Sequence, residues 1–433
     1  MQHLQKLNLL VEEIEDKIFI VVRPGAARAI HLVSHPQLRF LQALESGIDP
    51  ASLGFSGDQL DQMRNILENS NIIGEPIKKI TQKNLNFWFH LTDACTLKCT
   101  YCPIPKQPNH MSPALMQSVK RKLVEAVRLG KLTSVTLRLS GGEPLMRFAQ
   151  LKDFIPDIRQ ALFALGCQFR VAFLTNLTIL NQEIIDFIKR ERIGVSVSLD
   201  GLAEFHDQAR VFPSGRGSFE IVSQNIKRLQ ENGIDPFIMT VMTNENMSAM
   251  PAFVEYLIAN DLRFRIQLEK GRRFDWQEST RHFDRIFQII DAAIDRGYKY
   301  HYANAVSDLN FTSGSNNACG AGVSTAMINA QGDLYICHHV YDGEPFANIG
   351  DPEDMMALMA RSGADQYHAK PNKCHDCQYR RICAGACPID KQANCELMQF
   401  VIPRVYKLAA KVILRRVLAN RAARQKCALE SAA

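Results

Sequence analysis

Cysteine is the residue type that decides what chemistry this chain can do. Twelve of the 433 residues are cysteine, at 95, 99, 102, 167, 319, 337, 374, 377, 383, 387, 395 and 427. Ten of them fall in two clusters, one of three and one of seven. The opening stretch MQHLQKLNLLVEEIEDK lacks a basic n-region and carries four acidic residues by Asp16, so no secretory signal is expected and the chain is expected in the cytoplasm. In a reducing compartment, clustered thiols read as metal or iron–sulfur ligands rather than as disulfides. The first cluster is Cys95-x3-Cys99-x2-Cys102. Three thiolates leave one iron of a four-iron cluster with an open position, whereas structural zinc sites are normally closed by four ligands. Zinc with a distant fourth ligand such as His90 is the alternative.

These residues need elements to position them. Apolar, β-prone runs occur at 86–91, 134–139, 169–175, 193–199, 237–242 and 264–269. Helical spacing lies between and after them, near 113–129, 148–165, 181–190, 217–231, 247–259 and 279–295. Six such units predict an α/β fold with a parallel sheet and right-handed crossovers. A partial (β/α)6 barrel and an open doubly wound sheet both satisfy this pattern. The first cysteine cluster follows the first of these strands. Ser140-Gly141-Gly142-Glu143-Pro144 follows the second, and Ser198-Leu199-Asp200-Gly201, with His206-Asp207 and Arg210 beyond it, follows the fourth. Glycines allow a close backbone approach, and a carboxylate accepts from an ammonium group. The bland alternative for the fourth strand end is a turn with a capping aspartate and a surface arginine.

On these residues the chain resembles the radical SAM superfamily, whose signature CTLKCTYC matches, including Tyr101 before the last cysteine. The resemblance implies a 4Fe-4S cluster on Cys95, Cys99 and Cys102 that chelates S-adenosylmethionine through its open iron. Reductive cleavage there gives a 5′-deoxyadenosyl radical, the hard chemistry being the cofactor's. It further implies that Gly142 and Glu143 hold the methionine amino group, and that Ser198 and Arg210 hold the carboxylate and ribose. Tyr101 and Asn176, the latter in Thr175-Asn176 at the neighbouring strand end, complete the expected S-adenosylmethionine contacts. The fold implied is the partial (β/α)6 barrel, over residues 85–300.

Seven cysteines between 319 and 395 are too dense for buried structural thiols. Their spacing resembles the SPASM domain, here 301–400, which carries auxiliary iron–sulfur clusters. Carried over, Cys374, Cys377, Cys383 and Cys395 bind an outer 4Fe-4S cluster, and Cys319, Cys337 and Cys387 an inner one, three clusters in all. Where some relatives have a further inner-cluster cysteine this chain has Thr325, so the inner cluster is expected to keep an open iron. Cys167 reads as core and Cys427 as an incidental thiol. Anaerobic sulfatase maturases place an aspartate after the cysteine matching Cys337, and it serves as general base. This chain has His338-His339, either of which could accept a proton.

Residues 1–80 read as a small hairpin-plus-helices domain. It resembles the winged-helix-like leader-recognition domains of peptide-modifying enzymes, with a structural cap on the barrel as the alternative. Residues 401–433 predict a basic helix, with eight cationic side chains and no acidic one between 401 and 427. The overall net charge is +6, and without that segment the remainder is near −2. Basic charge confined to one helix argues against a nucleic-acid binder. No apolar stretch is long enough for stable membrane insertion. The function expected is oxidative modification, such as a crosslink, of a ribosomally made precursor peptide bearing a leader. An external low-potential electron donor is needed. The alternatives are a sulfatase-maturase-like enzyme acting on a folded protein, and a non-catalytic iron–sulfur or zinc scaffold that recruits a peptide.

Overall fold

The computed structural model describes residues 2–4, 6–7, 9–23, 30–73, 83–297, 319–341, 343–369, 374–379, 382–383, 387 and 395–430. The chain divides into two compact units. Residues 1–79, 271–318 and 370–433 make one, and residues 80–270 and 319–369 the other.

In the first unit β1 (Gln2–Leu4), β2 (Leu9–Glu15), β3 (Ile18–Val22) and β4 (Ile30–Ser34) form an antiparallel sheet in sequential order. Helices His35–Ser46 and Gly57–Asn69 follow. The expected β3–β4 hairpin is present, and two further strands precede it. Alternation in β2 is legible only over Val11–Glu15, because its first three residues are all buried. Leu9, Val21, Leu41 and Leu67 meet in the core of this unit. The basic segment is part of a long helix, Cys395–Glu430, that packs on Trp276–Asp295. Val405, Leu408 and Val412 are buried. Its charged side is not simply solvated: Arg404 pairs with Asp284, Lys411 with Asp291, and Arg415 with Asp295. Each partner lies 120 residues back, so the two helices run side by side in the same direction. Half-exposed pairs of this kind contribute little to stability; the buried apolar seam holds the helices together.

In the second unit β5 (Asn84–His90), β6 (Ser134–Ser140), β7 (Gln168–Thr175), β8 (Gly194–Ser198), β9 (Phe237–Met242) and β10 (Arg263–Leu268) pair in parallel, each with the next. A doubly wound sheet reverses its strand order at a switch point. Here the order runs without reversal, as in a barrel wall, and among the described residues β10 does not return to β5. The partial barrel is therefore the architecture, and the doubly wound alternative falls. Among the described residues of this unit, helices pack on the face that Phe89 occupies: Phe89 stacks on Phe154 of helix Phe148–Phe163, their centroids 5.9 Å apart. Side chains at alternate positions, such as Trp88 and Arg138, point to the opposite face.

In the cysteine-rich segment β11 (Thr325–Ile328) joins the edge of β5 in parallel, and β12 (Asp333–Tyr335) and β13 (Ala347–Asn348) continue the sheet. A four-residue run is too short to show a period, and it forms because β5 offers an unpaired edge. Lys122 anchors this extension by donating to the carbonyls of Asp351 at 2.6 Å and Glu353 at 2.5 Å. Among the described residues no helix is long and apolar enough to cross a membrane.

Candidate functional site

The loop after β5 carries Cys95, Cys99 and Cys102, and its backbone is bonded both to the turn after β6 and to the segment beyond β8. On one side Gly142 N donates to Thr92 O at 2.6 Å and Glu143 N to Ala94 O at 2.9 Å. On the other, Lys98 N donates to Val211 O at 2.7 Å and Thr100 N to Ala209 O at 3.0 Å. A Cβ on Gly142 would lie 1.9 Å from Ala94 O, and one on Gly141, whose φ is +118°, 2.3 Å from Thr92 O. The two glycines admit the close approach of the cysteine loop's backbone.

Each thiol of this loop has an N–H donor beside it. Lys106 Nζ lies 2.9 Å from Cys102 Sγ, and Arg210 Nη1 3.9 Å from Cys99 Sγ. Asn176 Nδ2 and Leu97 N both lie 3.5 Å from Cys95 Sγ. Burial pushes the Cys95 thiol up to about 11 and also raises Cys99, so neither would ionise unaided at neutral pH. Metal ligation displaces such protons. Three thiols with cationic and amide donors aimed at their sulfurs fit a ligated anionic cluster better than buried neutral thiols.

Arg210 is not a surface residue. Its Nε donates to Asp200 Oδ2 at 2.6 Å, with side-chain exposures of 11% and 1%. The same oxygen accepts from the Tyr101 hydroxyl, and Oδ1 accepts from Val241 N at 2.9 Å. The guanidinium sits over the Tyr101 ring, 5.4 Å from its centroid. Burial works against the Arg210 charge, but Asp200, Tyr101 and Cys99 outweigh it and hold the group well above its ordinary value. Behind the pair, His206 is buried and pushed down to about 4, first by burial and then by Arg210. As a neutral ring its Nδ1 accepts from Asp200 N at 3.2 Å, while Nε2 lies 3.0 Å from Ser218 Oγ. Asp200 is the residue that sequence reasoning missed: a turn aspartate reads as a cap, and Tyr101 and Val241, two of its side chain's partners, lie 99 and 41 residues away.

Glu143 is fully buried, and burial raises it to about 7 against the pull of its hydrogen bonds. Its carboxylate accepts from Thr175 Oγ1 at 2.7 Å, Asn176 N at 2.8 Å and Leu145 N at 3.0 Å. Glu143, Asn176 and the Cys95 side of the loop thus form one polar network. Ser198 is half-buried at the end of β8, opposite Met239. Gly142, Glu143, Asn176, Ser198, Tyr101 and Arg210 all stand at or beside the carboxyl ends of consecutive parallel strands.

Cys337 follows β12, with its Sγ 3.7 Å from His338 Nδ1. His338 lies against Trp88, with centroids 4.0 Å apart, and His339 is 4.1 Å from it. Burial first, then His339 and His90, hold His338 well below its ordinary value, which makes it a weak proton acceptor. His90 is buried and pushed down to about 3, chiefly by burial. Its ring stacks on Tyr341, whose hydroxyl donates to Asp93 at 2.6 Å. Cys319 is exposed, whereas Cys374, Cys377, Cys383, Cys387 and Cys395 are half-buried. Those five belong to the first unit, and Cys319 and Cys337 to the second. Cys167 is buried beside β7. The side chain of Cys427 lies outside the described residues.

Residues 89–257 match the family model described as the Radical SAM superfamily. The chain carries a radical SAM domain. The superfamily implies a 4Fe-4S cluster and S-adenosylmethionine. An uncharacterized protein of Methanocaldococcus jannaschii is 31% identical over 39% of this chain and 57% of its own length. The chain therefore spans less than two thirds of that relative. The serine-type anaerobic sulfatase-maturating enzyme of Bacteroides thetaiotaomicron is 24% identical, over 68% of this chain and 80% of its own. The antilisterial bacteriocin subtilosin biosynthesis protein AlbA of Bacillus subtilis is 25% identical, over 58% of this chain and 54% of its own. Among solved structures, native anSMEcpe with bound AdoMet and Cp18Cys peptide superposes with a TM-score of 0.61 at 18% identity, covering 76% of this chain and 99% of its own. Streptococcus suis SuiB bound to precursor peptide SuiA gives 0.53 at 17% identity, covering 88% and 94%. These two likenesses establish a shared fold.

Proposed function

We propose that the protein is a radical SAM maturase that oxidatively modifies a ribosomally made precursor peptide. The observation that carries this reading is the cysteine loop, whose three sulfurs each face an N–H donor between the Gly142-Glu143 and Asp200-Arg210 strand ends. Cys95, Cys99 and Cys102 would hold a 4Fe-4S cluster. Tyr101, Gly142, Glu143, Asn176, Ser198 and Arg210 would surround S-adenosylmethionine. Once loaded, that pair supplies a 5′-deoxyadenosyl radical at the cost of one electron from an external low-potential donor. The chain's own part is positional: Asp200 fixes the Arg210 guanidinium, Glu143 locks Asn176, and the clamped loop fixes the sulfurs. Two auxiliary 4Fe-4S clusters, on Cys374, Cys377, Cys383 and Cys395 and on Cys319, Cys337 and Cys387, would take up the substrate's second electron. His338 and His339 are the candidate proton acceptors, His338 the weaker for its burial. The subtilosin relative and the peptide-bound SuiB neighbour support a peptide substrate with a leader, and residues 1–80 are the candidate leader-recognition domain.

A second reading, maturation of a folded protein such as a sulfatase, draws support from the 80% of the Bacteroides enzyme that the chain covers. His338 in place of the maturase aspartate counts against it.

Anaerobic reconstitution followed by reductant and S-adenosylmethionine is expected to release 5′-deoxyadenosine, read by chromatography. Joint Cys95→Ala, Cys99→Ala and Cys102→Ala substitution should abolish release while the iron bound by the other cysteines remains. Release that survives the triple substitution would sink the assignment of this loop.

A further inference from the structure

Three residues of the sheet face opposite Phe89 form a cluster that the proposed chemistry leaves unused. Trp88 on β5 is paired in register with Arg138 on β6. The residues flanking each, Phe87 and Phe89, Leu137 and Leu139, are fully buried on the helix side. Alternation therefore turns Trp88 and Arg138 to the barrel interior. The Arg138 guanidinium lies over the indole, 5.4 Å from its centroid, and His338 lies against the same ring. A cation–π contact of this kind braces the guanidinium without using up its N–H donors. Arg138 is half-buried, and among the described residues it makes no ion pair with a carboxylate. Arg265 on β10, between buried Phe264 and Ile266, faces the same interior. Burial first and Arg265 second lower the Arg138 value, so the two cations feel each other.

Arg138, held against an indole on this face with a second cation near it, has no carboxylate partner among the described residues. A group carrying negative charge completes such an arrangement, and a planar carboxylate matches the fork in bidentate fashion. Arg138 lies two residues before Ser140, about 7 Å down the strand from the level of the cysteine loop. A group held there reaches in from beneath the proposed radical site.

We propose that Arg138, braced on Trp88, receives a carboxylate of the peptide substrate on the barrel floor and so selects which residue faces the radical. The proposal rests on the peptide-maturase reading. The carboxylate is either an acidic side chain or the chain's C-terminus.

Isothermal calorimetry of the reconstituted protein with three probes tests this. They are Ac-Ala-Ala-Glu-Ala-Ala-NH2, its Gln counterpart, and Ac-Ala-Ala-Ala-Ala-Ala with a free C-terminus. One carboxylate probe is expected to bind about tenfold or more tightly than the Gln probe, and which one it is names the source. Arg138→Met should reduce that probe to the Gln level, and Arg138→Lys should restore only part of the preference. Equal binding of all three probes to the unaltered protein overturns the proposal, as does a preference that survives Arg138→Met. Loss of S-adenosylmethionine binding with the peptide preference intact also overturns it, because Arg138 would then serve the cofactor. The calorimetry needs no turnover. Absence of 5′-deoxyadenosine therefore counts against the functional reading, and absence of the preference against this one.

Discussion

Gly142→Ala is expected to strip iron from the Cys95–Cys102 loop and to lower 5′-deoxyadenosine release about 100-fold. The added methyl would sit 1.9 Å from Ala94 O, 2.4 Å from Ala94 C and 2.7 Å from Asp93 O. All three are backbone atoms, so no side chain can swing away. Either the β6 end or the cysteine loop must retreat, and both lose the bond from Gly142 N to Thr92 O. Overpacking of this kind costs about 1–3 kcal/mol, and a displacement near 1 Å at reacting groups costs about 10²-fold in rate. Gly57→Ala is the control, because nothing lies within 4 Å of its added methyl and its φ is not positive. It opens helix Gly57–Asn69, where alanine is the better helix former. Iron per chain, thermal midpoint and product release should all fall in Gly142→Ala and hold in Gly57→Ala. Normal iron and normal release in Gly142→Ala would refute the clamp.

What the sequence could and could not announce follows from the range of the interactions. The strands from β5 to β10 were legible because each packs an apolar row against helices while its alternate positions tolerate residues such as Trp88, Arg138 and Arg265. That alternation is a local property. The choice between a barrel and a doubly wound sheet was not local, since it depends on strand order, and only the pairing of each strand with its successor decides it. The cysteine spacing marked the candidate ligands, yet the donors facing them were harder to see. Lys106 is only four residues from Cys102 but stands in an irregular stretch without a motif. Arg210 and Asn176 approach Cys99 and Cys95 from 111 and 81 residues away. Strand β11 escaped notice because four residues show no period, and its stability comes from the edge of β5 more than 200 positions earlier. The cationic side of the C-terminal helix was legible as charge, whereas its acidic partners lay 120 residues back.

Asp200→Asn is expected to destabilise the barrel by about 3–5 kcal/mol, the range for removing one partner of a buried ion pair. The amide keeps the size of the carboxylate and can still accept from Val241 N. It cannot neutralise Arg210, which is buried and permanently charged. The Tyr101 hydroxyl loses its anionic acceptor at the same time. Because Arg210 Nη1 reaches Cys99 Sγ and Tyr101 precedes Cys102, the disturbance enters the cysteine loop directly. 5′-Deoxyadenosine release should therefore fall together with stability. A general weakening of the fold would also lower both, so the deciding test is a double-mutant cycle with Arg210→Gln. If the penalty of Asp200→Asn is the stranded charge, removing that charge should recover about 2 kcal/mol of it in denaturant unfolding, within the coupling expected of contacting residues. Activity should not return, because the donor to Cys99 is gone in the double variant. Additive losses within about 0.5 kcal/mol would mean that the two residues stabilise the barrel independently, and the role of Asp200 as the anchor of Arg210 would have to be abandoned.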